Sequence, residues 1–212
     1  MKRRFALTLA VGALVVMPRF AAAQVGRNAS GILDPNLATK DQLVTLPGVN
    51  AALADAIIAG RPWADMLAVD KVVAASLNEE QKKALYVRLF QPINLNAATR
   101  EEILLVPGAG ARMAREFLEY RPYDGLPRFR REIGKYVDAA EVARLEQYVY
   151  LPVDLNTASD ADILTIPGVG QRMLREFKEY RPYPNIEKFR REIGKYVDKA
   201  EVARLERYVM IK

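Results

Sequence analysis

Apolar residues along this chain recur at the spacing of one face of an α-helix. Met113, Phe117 and Tyr120 fall at i, i+4 and i+7 with charged residues between them, and Met173, Phe177 and Tyr180 repeat the series. Phe129 with Ile133, and Val142 with Leu145 and Val149, predict two more helices downstream. Shorter helices begin at three capping boxes: Thr39 with Gln42, Thr99 with Glu102, and Ser159 with the shorter Asp162. The helix holding Phe117 should stop near Arg121, because Pro122 disfavours helical dihedrals in the residue before it. No convincing stretch alternates apolar and polar positions as a half-buried strand does, so the expected fold class is all-α.

The pattern also repeats. Pro47, Pro107 and Pro167 lie 60 residues apart, as do Gly48, Gly108 and Gly168, Arg61, Arg121 and Arg181, and Trp63, Tyr123 and Tyr183. Three tandem units follow, residues 34–93, 94–153 and 154–212, preceded by a linker at 24–33. The second and third are close copies that share the whole of "FRREIGKYVD", whereas the first keeps the length and little of the detail.

Residues 1–23 read as an export signal. Met1-Lys2-Arg3-Arg4 is basic, Phe5 to Met17 is apolar, and Ala21-Ala22-Ala23 supplies small residues for cleavage before Gln24. The apolar run is shorter than the roughly 20 residues that span a bilayer. The expectation is a periplasmic or secreted mature chain with no stable membrane span; an uncleaved anchor is the alternative. Loss of Lys2, Arg3, Arg4 and Arg19 takes the formal charge from +6 to +2, 28 basic against 26 acidic residues. Most of the polyanion signal in a pI near 9.5 leaves with the export signal. Without cysteine there are no disulfides or thiolate metal sites, and without histidine no imidazole base or histidine ligand. No pair of carboxylates stands apart as acid and base, so neither catalysis nor a cofactor is expected.

The candidate chemistry lies where the chain reads "VPGAGARMAREFLEYRPY" from Val106 and "IPGVGQRMLREFKEYRPY" from Ile166. Two helices separated by Pro-Gly-x-Gly must reverse sharply, and glycine reaches the positive φ such a turn needs. Gly110 and Gly170 also open the next helix, where amides without an intrahelical acceptor stand at the positive end of the dipole and can hold a phosphate oxygen. Chain reversal alone explains the glycines equally well. Arg112, Arg115, Arg172 and Arg175 tilt the reading toward an anion. Each precedes a glutamate by four residues, the weaker order for a helical ion pair, and a cation in the first turn opposes the dipole. Gly108, Gly110, Arg112 and Arg115, with Gly168, Gly170, Arg172 and Arg175, are therefore the candidate binding residues. A second basic run, Arg130, Arg131 and Lys135 with Arg190, Arg191 and Lys195, is either a solvated helix face or an extension of a phosphate track.

The stretches "LNAATREEILLVPGAGARMAREFLEYRP" and "LNTASDADILTIPGVGQRMLREFKEYRP" resemble the helix-hairpin-helix module of ComEA-type proteins, exported DNA receptors of bacterial transformation. The resemblance covers the first half of each unit well and the second half only as a degenerate second hairpin. It implies tandem helix-hairpin-helix (SAM-like) repeats with a period of 60 residues. It also implies hairpin amides and nearby basic residues that contact double-stranded DNA through its phosphates, without reading sequence, in DNA uptake.

The chain departs from the family pattern in places. Asn50 stands at the second glycine of the first unit and no base lies between Asp41 and Gly60, so that unit should keep the fold and lose the anion site. Met113 and Met173 occupy a position that is often basic in the family and should face the core. Unit charges of −1, 0 and +2 make no basic slab. The chain is also similar to PsbU-like extrinsic subunits of photosystem II, which dock on other proteins. Tyr123, Tyr148, Tyr150 and Tyr183 are the exposed aromatics that such a docking surface would use.

Overall fold

The computed structural model describes residues 31–212, so the export signal expected at 1–23 and most of the 24–33 linker lie outside the described residues. The described chain is helix-rich. Its helices fall into three quartets. The first holds α1 (Lys40–Leu43), α2 (Ala51–Ala59), α3 (Met66–Ala74) and α4 (Glu79–Tyr86). The second holds α5 (Arg100–Leu104), α6 (Ala111–Glu119), α7 (Leu126–Ile133) and α8 (Ala139–Glu146). The third holds α9 (Asp160–Ile163), α10 (Gln171–Glu179), α11 (Ile186–Ile193) and α12 (Lys199–Glu206).

Nine of the helix starts in the described residues are fixed by a side chain that accepts a first-turn amide: Thr39, Asn50, Asp65, Asn78, Thr99, Asp138, Ser159, Asn185 and Asp198. The boxes expected at Thr39 and Ser159 close in both directions. The one expected at Thr99 forms only by half. Thr99 accepts the amide of Glu102, but Glu102 Oε1 turns away and accepts the amide of Met66, the first residue of α3, at 3.2 Å. Helix α6 ends at Glu119 with Tyr120 as its C-cap, and the Arg121-Pro122 peptide that follows is cis, as are Arg61-Pro62 and Arg181-Pro182.

Four two-residue strands are present that the sequence pattern does not predict: β1 (Ile93–Asn94), β2 (Val149–Tyr150), β3 (Val153–Asp154) and β4 (Val209–Met210). Two residues are too few to display a period of two. β1 pairs with β2 and β3 with β4, both in parallel, and Leu33 bridges Leu89 in the same sense. Each pairing ties the entry of a quartet to its exit.

Arginine forks add a second tie. Arg121 donates through Nε to Leu95 O at 2.5 Å and through Nη2 to Ala98 O at 2.7 Å. Arg61 grips Pro35 O and Ala38 O, and Arg181 grips Leu155 O and Ala158 O, in the same way. These guanidiniums satisfy carbonyls of the segment before each short first helix and lock the residue after α2, α6 and α10 against it.

One buried cluster runs through the first two quartets, from Ile32 to Val149, and a second fills the third quartet from Tyr150 to Val209. Phe117 meets Phe129 edge to face with ring centroids 5.2 Å apart, and Phe177 meets Phe189 at 5.4 Å. Met113 and Met173 pack, half-buried, against these cores, as their spacing predicts. The four tyrosines expected on the surface are not there: Tyr123, Tyr148, Tyr150 and Tyr183 are all buried. Tyr123 packs on Phe129 and Tyr183 on Phe189, so the helical spacing marks core and not a docking face.

Candidate nucleic-acid interface

The reversal between α5 and α6 begins at Pro107 and turns on Gly108, whose φ of +79° is left-handed; Gly48 and Gly168 take +76° and +78° at the matching turns. The second glycine is different. Gly110 and Gly170 have φ of −71° and −105°, and Asn50, in the same place, −91°. These are values any residue adopts, so Asn50 fits without needing the tolerance for left-handed dihedrals that the sequence reading invoked.

What distinguishes the second glycine is the cap it does not provide. Asn50 Oδ1 accepts the amide of Leu53 at 2.9 Å and closes the start of α2. Gly110 and Gly170 offer no side chain, and a Cβ placed on either would meet nothing within 4 Å. The amides of Ala111, Arg112 and Met113, and of Gln171, Arg172 and Met173, are therefore left without an acceptor in their own helix or its cap. The donor set starts one residue later than the spacing implies, because the Gly110 amide itself bonds to Gly108 O at 3.1 Å. Helix α7 also opens on a glycine, Gly125, but Pro127 in its first turn removes one of the donors.

Arg112, Arg115, Arg172 and Arg175 are all exposed around these openings. None of their i,i+4 glutamate pairs occurs among the ion pairs of the described residues. Arg115 instead bonds the adjacent Glu116 at 3.0 Å while its side chain stays 68% exposed. The Tyr136 hydroxyl and then Arg115 hold the Glu116 carboxyl below the usual carboxylate range. The Arg112 guanidinium lies over the Tyr136 ring, 5.4 Å from its centroid, and the Tyr136 hydroxyl is 2.8 Å from that of Tyr120.

The second basic run is placed otherwise. Arg130 grips Glu146 with Nε and Nη2 at 2.6 and 2.7 Å, and Arg190 grips Glu206 at 2.7 and 2.5 Å. Arg131 and Lys135 both pair with Glu132, and Arg191 and Lys195 both pair with Glu192. All six cations of the run thus have carboxylate partners within their own quartet, which is the arrangement of a solvated, charge-balanced face.

A feature invisible in the sequence lies beside the second hairpin. A groove of about 550 Å³ separates α4 from the turn, with Lys82, Lys83, Tyr86 and Val87 on one side and Leu104 through Gly110 on the other. Lys82 is bound to Asp70 and Glu79, whereas Lys83 is exposed and takes part in no ion pair among the described residues. No periodicity points to Lys83, because its neighbour is set by the packing of one quartet on the next.

Among the described residues no group of three or more aspartates and glutamates is placed to hold a metal ion, and no helix is long and apolar enough to cross a membrane. Comparison of the chain with family models, curated proteins and solved structures returns no match.

Proposed function

We propose that the chain comprises three tandem helix-hairpin-helix units with a period of 60 residues, and that it binds the phosphate backbone of double-stranded DNA without reading sequence. In this reading it is an exported, non-catalytic protein whose role is of the DNA-uptake kind. Helix starts that recur at 60-residue intervals, from Lys40, Arg100 and Asp160 onward, support the repeat. The observation that carries the function is the uncapped opening of α6 and α10. Asn50 shows that this chain can close such an opening, and at Gly110 and Gly170 it does not. Arginines that weaken an isolated helix stand around the free amides, where a bound anion offsets the dipole penalty.

Fluorescence anisotropy of the protein with a labelled random-sequence duplex across a salt series tests this. The log of the binding constant should fall with the log of salt by about 0.9 for each phosphate neutralised, with no preference between sequences. Absence of binding at low salt contradicts it.

One observation favours a second reading, docking on a protein. Val87 and Leu104, two of the few large apolar side chains left exposed among the described residues, both line the groove beside the second hairpin. An interaction that persists at high salt and excludes DNA would favour this reading.

A further inference from the structure

We propose, on the reading that the hairpins hold phosphate, that the two near-identical copies are not equivalent. The first unit covers the third hairpin and completes the second, so that one composite site, built from α4 and the start of α6, makes the DNA contact.

The third hairpin carries a cover from the first unit. A Cβ on Gly168 would stand 3.2 Å from Leu37 Cδ1 and 3.1 Å from Arg204 Nη2. Arg204, itself buried, donates through Nη1 to Pro167 O at 2.7 Å. The first unit is fixed there at two more points. Asp34 is fully buried within the electrostatic reach of Arg204 and Arg207, and Arg207 Nη1 donates to Trp63 O at 3.3 Å. Pro167 is consequently buried and Gly170 half-buried.

The second hairpin has no such cover. Pro107 is half-buried, Gly110 is exposed, and Arg144, the counterpart of Arg204, keeps 34% of its side chain exposed beside Gly108. It faces the open groove instead, with the unpaired Lys83 on the opposite wall. The first unit lacks a hairpin site of its own, yet by this arrangement it adds a cation to its neighbour's. A phosphate at the amides of residues 111 to 113 would lie between Arg112 on one side and Lys83 on the other.

The test compares the full chain with Gly110→Asp, Gly170→Asp and Lys83→Gln on one random-sequence duplex over a salt series. Both glycines have extended dihedrals and open space at Cβ, so both aspartate variants should fold, which circular dichroism checks. Gly110→Asp should weaken binding at least tenfold and Gly170→Asp less than twofold. Lys83→Gln should weaken it several-fold at low salt and lower the salt slope by about 1. Equal losses from the two aspartate variants, or an unchanged slope in Lys83→Gln, overturn the inference and leave DNA binding standing. A wild-type chain that binds no duplex at low salt overturns both.

Discussion

Asn50 Oδ1 accepts the amide of Leu53 at 2.9 Å, and this bond closes at α2 the opening that Gly110 leaves at α6. A cap of this kind is local, and so is its loss. Asn50→Ala should lower the unfolding free energy by about 1 kcal/mol in a urea titration. It should leave duplex affinity unchanged, because no arginine stands in the first turn of α2.

Arg121 contributes shape as well as charge. Its fork holds two carbonyls, Leu95 O and Ala98 O, that a lysine ammonium cannot reach with the same planar geometry. Arg121→Lys should destabilise the chain by about 2 kcal/mol in denaturant, the scale of a hydrogen bond to a charged group. Duplex binding measured where the variant is still folded should not move.

Gly108 and Gly110 separate two roles that lie two residues apart. Gly108 has φ of +79° and a Cβ there would fall 2.5 Å from Arg144 Nη2. Gly108→Ala should cost about 1–2 kcal/mol for the left-handed backbone alone. Thermal unfolding should show a clear drop in midpoint.

Asp34 makes the stability depend on pH in a defined direction. Its Oδ1 accepts the Asn36 amide at 2.8 Å, while Oδ2 is buried without a hydrogen-bond partner. Burial pushes the carboxyl above the ordinary aspartate range, against the opposing pull of the Asn36 amide and of Arg204 and Arg207. A raised folded pKa means that the folded chain binds the proton more tightly than the unfolded one. The stability this contributes is complete below the unfolded value of about 3.9 and is lost as pH rises through the folded value. Asp34→Asn keeps the acceptor and removes the buried charge. Relative to wild type it should be more stabilising at pH 7 than at pH 4, read as the difference in urea midpoints; a variant that loses more stability at pH 7 contradicts this.

The parts of this structure legible in the sequence are those set by neighbours along the chain. Thr39, Thr99 and Ser159 mark helix starts because a cap acts within three residues, and Pro122 marks a helix end for the same reason. The period of Met113, Phe117 and Tyr120 reports one packed face. Partners from other segments are what the pattern misses. Glu102 leaves its expected box for Met66, which lies in the first quartet. The run "FRREIGKY" reads as free cations until Arg130 is seen to reach Glu146, a helix away. Tyr148 and Tyr150 seem available for docking in a string of letters, whereas parallel pairing of β1 with β2 buries the strand that carries Tyr150. Lys83 enters the candidate site only through the packing of α4 beside the second hairpin.

The central claim is that free amides at the start of α6 hold a phosphate, and the measurement closest to it is a titration of the ¹⁵N-labelled protein with a short random-sequence duplex, followed by amide chemical shifts. The largest changes should fall on Ala111, Arg112 and Met113, should disappear at high salt, and should leave Ala51 to Leu53 of the capped α2 unmoved. Duplex-dependent shifts that spare Ala111 to Met113, or no shifts at low salt, would contradict the account.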